Sequence, residues 1–120
     1  MKLKFWVTLL LPFCVLFVLN TAWAAKGDIY IVKVADAISP GTAEFIKNAI
    51  AKAETEQAAC IIIELDTPGG LAESMRLIIQ DILASKVPVV VYVAPAGARA
   101  ASAGVMITMA ADVAAMAPST

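Results

Sequence analysis

The chain has 120 residues, of which 61% are hydrophobic, and its nine Lys or Arg against ten Asp or Glu leave a net charge of −1. It contains no histidine, which excludes Ser-His-Asp triads, Cys-His dyads and His-ligated zinc sites. Neither a basic patch, a P-loop nor a G-x-G-x-x-G motif is present, so we predict no nucleic-acid partner, no cofactor and no metal site.

The first 24 residues are typical of an export signal. Two lysines precede an uninterrupted apolar run from Phe5 to Leu19, and Ala22-Trp23-Ala24 follows as a small-x-small cleavage site. The run is shorter than the roughly 20 residues that a membrane-spanning helix needs. We therefore predict a signal peptide over 1–24, with a retained N-terminal anchor as the alternative, and an exported chain over 25–120.

The rest of the sequence alternates between strand and helix patterns. In chain order we predict a strand at Asp28–Val34, a helix that begins after Ser39-Pro40, a strand at Ala59–Leu65, a helix at Leu71–Ile82, a strand at Val87–Val93, a helix at Ser102–Ala111 and a strand at Asp112–Met116. The apolar runs of the second and third strands are typical of strands covered on both faces. This order predicts an α/β fold with a parallel sheet of repeated βα units, incomplete at its C-terminus.

Two short motifs lie where predicted strands end. The second strand is followed by Asp66-Thr67-Pro68-Gly69-Gly70, and the third leads through Gly97 into Ala100–Gly104, a stretch of small residues around one serine. Ligands of open parallel sheets bind beyond the carboxyl ends of the strands. If the two strands are neighbours, both motifs therefore meet at one place.

Ser102 is the predicted nucleophile. A hydroxyl at a strand-to-helix turn is exposed and lies near helix amides that favour negative charge. We predict that the amides of Gly69, Gly70 and Ala103 form an oxyanion hole, because small residues leave backbone N–H groups unobstructed. Each motif alone also fits an ordinary turn or a helix-capping serine, but their occurrence at corresponding strand ends favours acyl transfer.

Three segments resemble the ClpP-like protease domain of NfeD proteins: Ile61–Leu71 (IIIELDTPGGL), Val87–Gly104 (VPVVVYVAPAGARAASAG) and Ala110–Thr120 (AADVAAMAPST). The resemblance covers essentially all of the chain after the leader, and the DTPGG and ASAG motifs are specific together. It implies a fold of the ClpP/crotonase superfamily and a membrane-associated serine endopeptidase with a Ser–Lys dyad. By position, Ser102 resembles the nucleophile, while Gly69, Gly70 and Ala103 match the oxyanion-hole segment.

The general-base lysine of such a dyad is expected beyond Thr120, so we assign it to no lysine of this sequence. Lys86 ends the second predicted helix, where a cation suits the helix dipole and faces water. A lysine that is neutral near pH 7 needs partial desolvation instead. We therefore expect residues 25–120 to be the N-terminal portion of a protease domain, inactive without the rest.

The resemblance also implies where the protein acts and on what. It implies a protease outside the cytoplasm, near or at the membrane, that cleaves apolar peptide segments, with stomatin-like membrane proteins as candidate partners. The full protein would be a homo-oligomer, a dimer, attached to the membrane through a region after Thr120. The alternatives are a signal-peptide-peptidase-like protease, a non-catalytic scaffold of the same fold, and a crotonase-like acyl-CoA enzyme, which export disfavours because CoA is cytoplasmic.

Overall fold

The computed structural model describes residues 27–120, so the predicted signal peptide over 1–24 lies outside the described residues. Strands and helices alternate along the chain: β1 (Ile29–Val34), α1 (Pro40–Thr55), β2 (Cys60–Leu65), α2 (Ala72–Ala84), β3 (Val89–Val93), α3 (Ala103–Ala110) and β4 (Val113–Met116). The strands form one parallel sheet in the order β1-β2-β3-β4. This architecture confirms the predicted α/β fold. Within residues 27–120, no helix has both the length and the apolar character that a membrane crossing requires.

The clearest difference from the predicted boundaries is the start of β3. The strand begins at Val89 and not at the predicted Val87, because Pro88 has no N–H to donate to a sheet ladder. The carbonyl of Pro88 still accepts the N–H of Ile61 at 2.9 Å. The residues before it form a turn, in which the hydroxyl of Ser85 donates to the carbonyl of Val87 at 2.7 Å.

The hydrophobic core lies between the sheet and a single layer of helices. Strands that follow one another without a reversal, joined by right-handed crossovers, place every connecting helix on the same side, and α2 contacts both α1 and α3. The side chains toward the helices are completely buried in β2 (Ile61, Ile63, Leu65) and β3 (Val89, Val91, Val93). The alternate residues of both strands are only half-buried. Within residues 27–120, the prediction that these strands are covered on both faces is therefore wrong.

The start of α1 shows an ordinary serine cap. Ser39 has an extended backbone with φ of −136°, and its Oγ accepts the N–H of Thr42 at 3.2 Å. Pro40 occupies the first helical position, where its missing N–H costs nothing. The capping bond satisfies one of the free N–H groups at the helix start. Ser39 can therefore be compared, as an ordinary helix cap, with Ser102, the serine that precedes α3.

Candidate active site

The loops that follow β2 and β3 are joined by backbone hydrogen bonds. The N–H of Thr67 donates to the carbonyl of Arg99 at 2.7 Å, and the N–H of Ala101 donates to the carbonyl of Thr67 at 3.0 Å. The Asp66 carboxylate accepts the N–H of Arg99 at 3.1 Å. Parallel pairing of β2 with β3 thus continues into the loops, and it brings the two motifs to one rim at the carboxyl ends of the strands.

Gly69 lies directly against Ser102. A Cβ placed on Gly69 would be 2.8 Å from the Cβ of Ser102, closer than side chains approach, and 3.4 Å from its Oγ. Gly69 also has φ of 107°, which L side chains rarely adopt. Only glycine fits this position, and its absent side chain leaves space beside the serine.

Ser102 occupies a strained turn that ends directly at α3. Its φ of 51° and ψ of −111° belong to a region that costs a non-glycine residue on the order of 1–3 kcal/mol. The turn is closed by the N–H of Gly104, which donates to the carbonyl of Ala101 at 2.9 Å. Ser102 is exposed and its side chain makes no capping hydrogen bond, in contrast to Ser39. An ordinary helix cap therefore does not describe this serine, whereas a nucleophile held on a sharp strand-to-helix turn has this geometry.

The three amides proposed from the sequence differ in what they bind. The N–H of Gly69 donates to Oγ1 of Thr67 at 3.1 Å, so it is already engaged within the protein. Among the described residues, the amides of Gly70 and Ala103 donate to no protein acceptor. The hydroxyl of Thr67 was not singled out from the sequence, although a threonine two positions before a glycine is a known source of such side-chain turns.

Lys86 lies at the amino end of β3, whereas the rim lies at the carboxyl ends of the strands. It precedes β3 whereas Ser102 follows it, so the two residues occupy opposite ends of the same strand. Its side chain is exposed, and its backbone N–H donates to the Glu54 carboxylate at 2.7 Å. This position agrees with leaving Lys86 unassigned as a base. In the part of the chain that the structure describes, no cluster of Cys, Asp and Glu side chains could hold a metal ion.

Sequence comparisons place the chain among known proteins. The sequence profile of the NfeD1b N-terminal domain matches residues 28–120. The chain is 44% identical over 112 residues to the membrane-bound protease PH1510 of Pyrococcus horikoshii. It is 36% identical over 97 residues to the membrane protein NfeD1b of Bacillus subtilis. These alignments cover 93% and 81% of this chain but 25% and 22% of the relatives, so the chain spans about a quarter of their length.

Solved structures share the fold. The 1510-N membrane protease of P. horikoshii, specific for a stomatin homolog, has a TM-score of 0.75 at 46% identity, over 80% of this chain and 48% of that one. Its lysine-to-alanine mutant in complex with a substrate peptide gives a TM-score of 0.77 at 46% identity, over 80% and 44% of the chains. ClpP1 of Listeria monocytogenes, as an asparagine-to-aspartate mutant, gives 0.61 at 27% identity, over 68% and 46%. The chain therefore belongs to the NfeD1b family through its N-terminal domain, and that domain has a ClpP-like fold.

Proposed function

We propose that the protein is a serine endopeptidase of the Ser–Lys type, with Ser102 as the nucleophile. The observation that carries this proposal is the strained, exposed Ser102 set directly against the bare backbone of Gly69. It is supported by the 1510-N protease, for which both a serine-to-alanine and a lysine-to-alanine mutant have been solved, the second with a substrate peptide. Residues 1–24 are proposed as the signal peptide, and 25–120 as the first portion of the protease domain.

The geometry supports acyl transfer in two steps. Ser102 Oγ attacks the scissile carbonyl carbon. The negative oxygen of the tetrahedral intermediate then accepts hydrogen bonds from the backbone N–H groups of Gly70 and Ala103. Removing one such donor typically lowers kcat by about 10²–10³. Gly69, whose own amide is engaged by Thr67, contributes the space in which the carbonyl is held. Collapse of the intermediate breaks the C–N bond and leaves an ester on Ser102, which water then hydrolyses.

The general base is proposed to be a lysine beyond Thr120. It takes the hydroxyl proton of Ser102 and later gives it to the leaving amine. Such a lysine must lose part of its hydration to be neutral near pH 7, and exposed Lys86 at the far end of β3 does not meet this condition.

A polypeptide of residues 25–120 is expected to hydrolyse no peptide at a rate that depends on Ser102, because it lacks that base. Release of a fluorescent product from an apolar peptide, compared with the full-length gene product at equal concentration, checks this expectation. Circular dichroism of the short polypeptide controls for its folding. Turnover by residues 25–120 that disappears in Ser102→Ala would place the base inside this stretch.

We propose apolar peptide segments as the substrates. Exposed apolar side chains flank the rim on both sides: Leu71 directly follows Gly70, and Val105 and Met106 lie in the first turn of α3. A membrane protein related to stomatin is the proposed target, at the extracytoplasmic face and with a dimeric enzyme. Relatives named membrane-bound and stomatin-specific support the target and the membrane association.

Reaction of the full-length protein with a fluorophosphonate probe tests the proposed function. The probe forms a stable bond with an activated serine, so a serine peptidase labels and a non-catalytic scaffold of the same fold does not. Labelling must depend on Ser102. An assay of stomatin-like segments against cleaved signal peptides then separates the proposed substrate from that of a signal-peptide-peptidase-like enzyme.

A further inference from the structure

Thr67 is a completely buried polar residue at the centre of the rim. Its backbone joins the two loops, as described above, but its hydroxyl turns toward the glycine pair. Oγ1 accepts the N–H of Gly69 at 3.1 Å and donates to the carbonyl of the same residue at 3.3 Å. One side chain thus holds both polar groups of Gly69.

The carbonyl of Gly69 is held from two sides. It accepts the N–H of Ile38 at 2.8 Å in addition to the hydroxyl of Thr67. The C=O and N–H of a trans peptide lie in one plane and point in opposite directions. Fixing the Gly69 carbonyl toward Ile38 and Thr67 therefore directs the N–H of Gly70 the other way, where no acceptor among residues 27–120 meets it.

This peptide plane needs an external restraint. It is flanked by glycine on both sides, and glycine permits backbone rotations that other residues resist. A half-turn of the plane would withdraw the Gly70 N–H and present the Gly69 carbonyl oxygen in its place. An oxygen at that position repels a developing oxyanion, whereas the N–H stabilises it.

We propose that Thr67 is a positioning residue for the oxyanion hole: its hydroxyl locks the Gly69–Gly70 peptide with the Gly70 N–H available beside Ser102. The inference rests on the proposed function, because it assigns a role within that same site. The methyl group of Thr67 takes no part in this lock and makes a packing contact instead. A Cβ placed on Gly104 would lie 2.7 Å from Cγ2 of Thr67, so this side chain packs against the first turn of the helix that follows Ser102.

The test compares Thr67→Val with Thr67→Ser in the full-length protein. Valine keeps the shape of threonine and loses the hydroxyl, while serine keeps the hydroxyl and loses the methyl. We expect Thr67→Val to lower kcat by tenfold to a hundredfold with KM unchanged, because the Gly70 amide acts mainly in the transition state. The kcat of Thr67→Ser should stay within about threefold of the wild-type value, because serine keeps the hydroxyl that holds the Gly69–Gly70 peptide. Affinity for a peptide boronate, which mimics the tetrahedral state, should fall in Thr67→Val as kcat falls.

Thr108→Val is the matched control, because the Thr108 hydroxyl donates only to the carbonyl of Gly104 within α3, at 2.8 Å. It makes the same chemical change without touching the glycine pair, and kcat should be retained. If Thr67→Val does not fold, Thr67→Ser and Thr67→Ala replace the pair, since both lack the methyl and differ only in the hydroxyl.

Two results would overturn the inference and they are distinguishable. Folded Thr67→Val with wild-type kcat, in an enzyme whose labelling still requires Ser102, removes the role of Thr67 and leaves the peptidase proposal intact. A wild-type protein without any Ser102-dependent labelling removes both, because Thr67 then has no oxyanion hole to position.

Discussion

Ser102→Ala is expected to abolish fluorophosphonate labelling of the full-length protein and to lower kcat for peptide hydrolysis by roughly 10⁴-fold or more, as loss of a serine nucleophile does in other peptidases. The substitution removes one oxygen and keeps the Cβ, so the strained turn and the contact with Gly69 stay as they are. Gel fluorescence of the labelled protein and initial rates on an apolar peptide measure the two effects.

Ser39→Ala is the control for this substitution. It also removes a serine hydroxyl at a helix start, but within residues 27–120 the Oγ of Ser39 makes hydrogen bonds only to Thr42, as the cap of α1. It should lower the free energy of unfolding by about 1 kcal/mol and leave labelling unchanged. Persistent labelling of Ser102→Ala would show that another residue reacts, and the assignment of the nucleophile would then be lost.

Gly69→Ala is expected to lower the rate of fluorophosphonate labelling at least about 100-fold, comparable to the loss of an oxyanion donor. The added methyl would lie 2.8 Å from the Cβ of Ser102 and 3.4 Å from its Oγ, so it fills the space in which we propose that the substrate carbonyl is held. The second-order rate constant of labelling, measured at several probe concentrations, gives the size of the effect.

Gly97→Ala separates this steric effect from backbone strain. Gly97 also has a positive φ, of 84°, but a Cβ placed there would meet nothing within 4 Å. Both alanines should therefore destabilise the fold through strained backbone, while only the one at Gly69 should block the serine. Equal labelling rates for the two variants would contradict the proposed closeness of Gly69 to the reacting group.

The order of elements could be predicted because periodicity and turn residues are local signals. Alternating or continuous apolar runs marked the strands, and Pro-Gly-Gly marked the end of β2. The covering of the sheet could not be predicted this way, because an apolar run such as that of β2 does not reveal whether a layer packs on its second face. The half-burial of that face depends on strand order, which is a property of the whole chain.

The candidate site, like the fold, could be predicted only in part from the sequence. Parallel neighbours bring their carboxyl ends together, and this rule was enough to predict that the glycine and serine motifs meet. The sequence predicted Ser102 as the nucleophile and Ser39 as a residue at a helix start, but it could not predict how their backbone conformations differ, with φ of 51° at Ser102 and −136° at Ser39. Their difference is a backbone angle that the surrounding loops impose. Nor could it show that the Gly69 amide is engaged, because that bond depends on the direction in which the buried Thr67 hydroxyl points.

The backbone angle at Ser102 has a consequence for engineering. Glycine adopts φ of 51° without strain, so Ser102→Gly should raise the melting temperature. The same substitution should abolish the proposed peptidase activity, because it removes the nucleophile. A search for heat-resistant variants that measures only whether the protein stays folded after heating would enrich this inactive variant. Directed evolution of the domain must therefore measure turnover in every round, since thermal stability favours glycine at position 102 and the proposed activity requires serine.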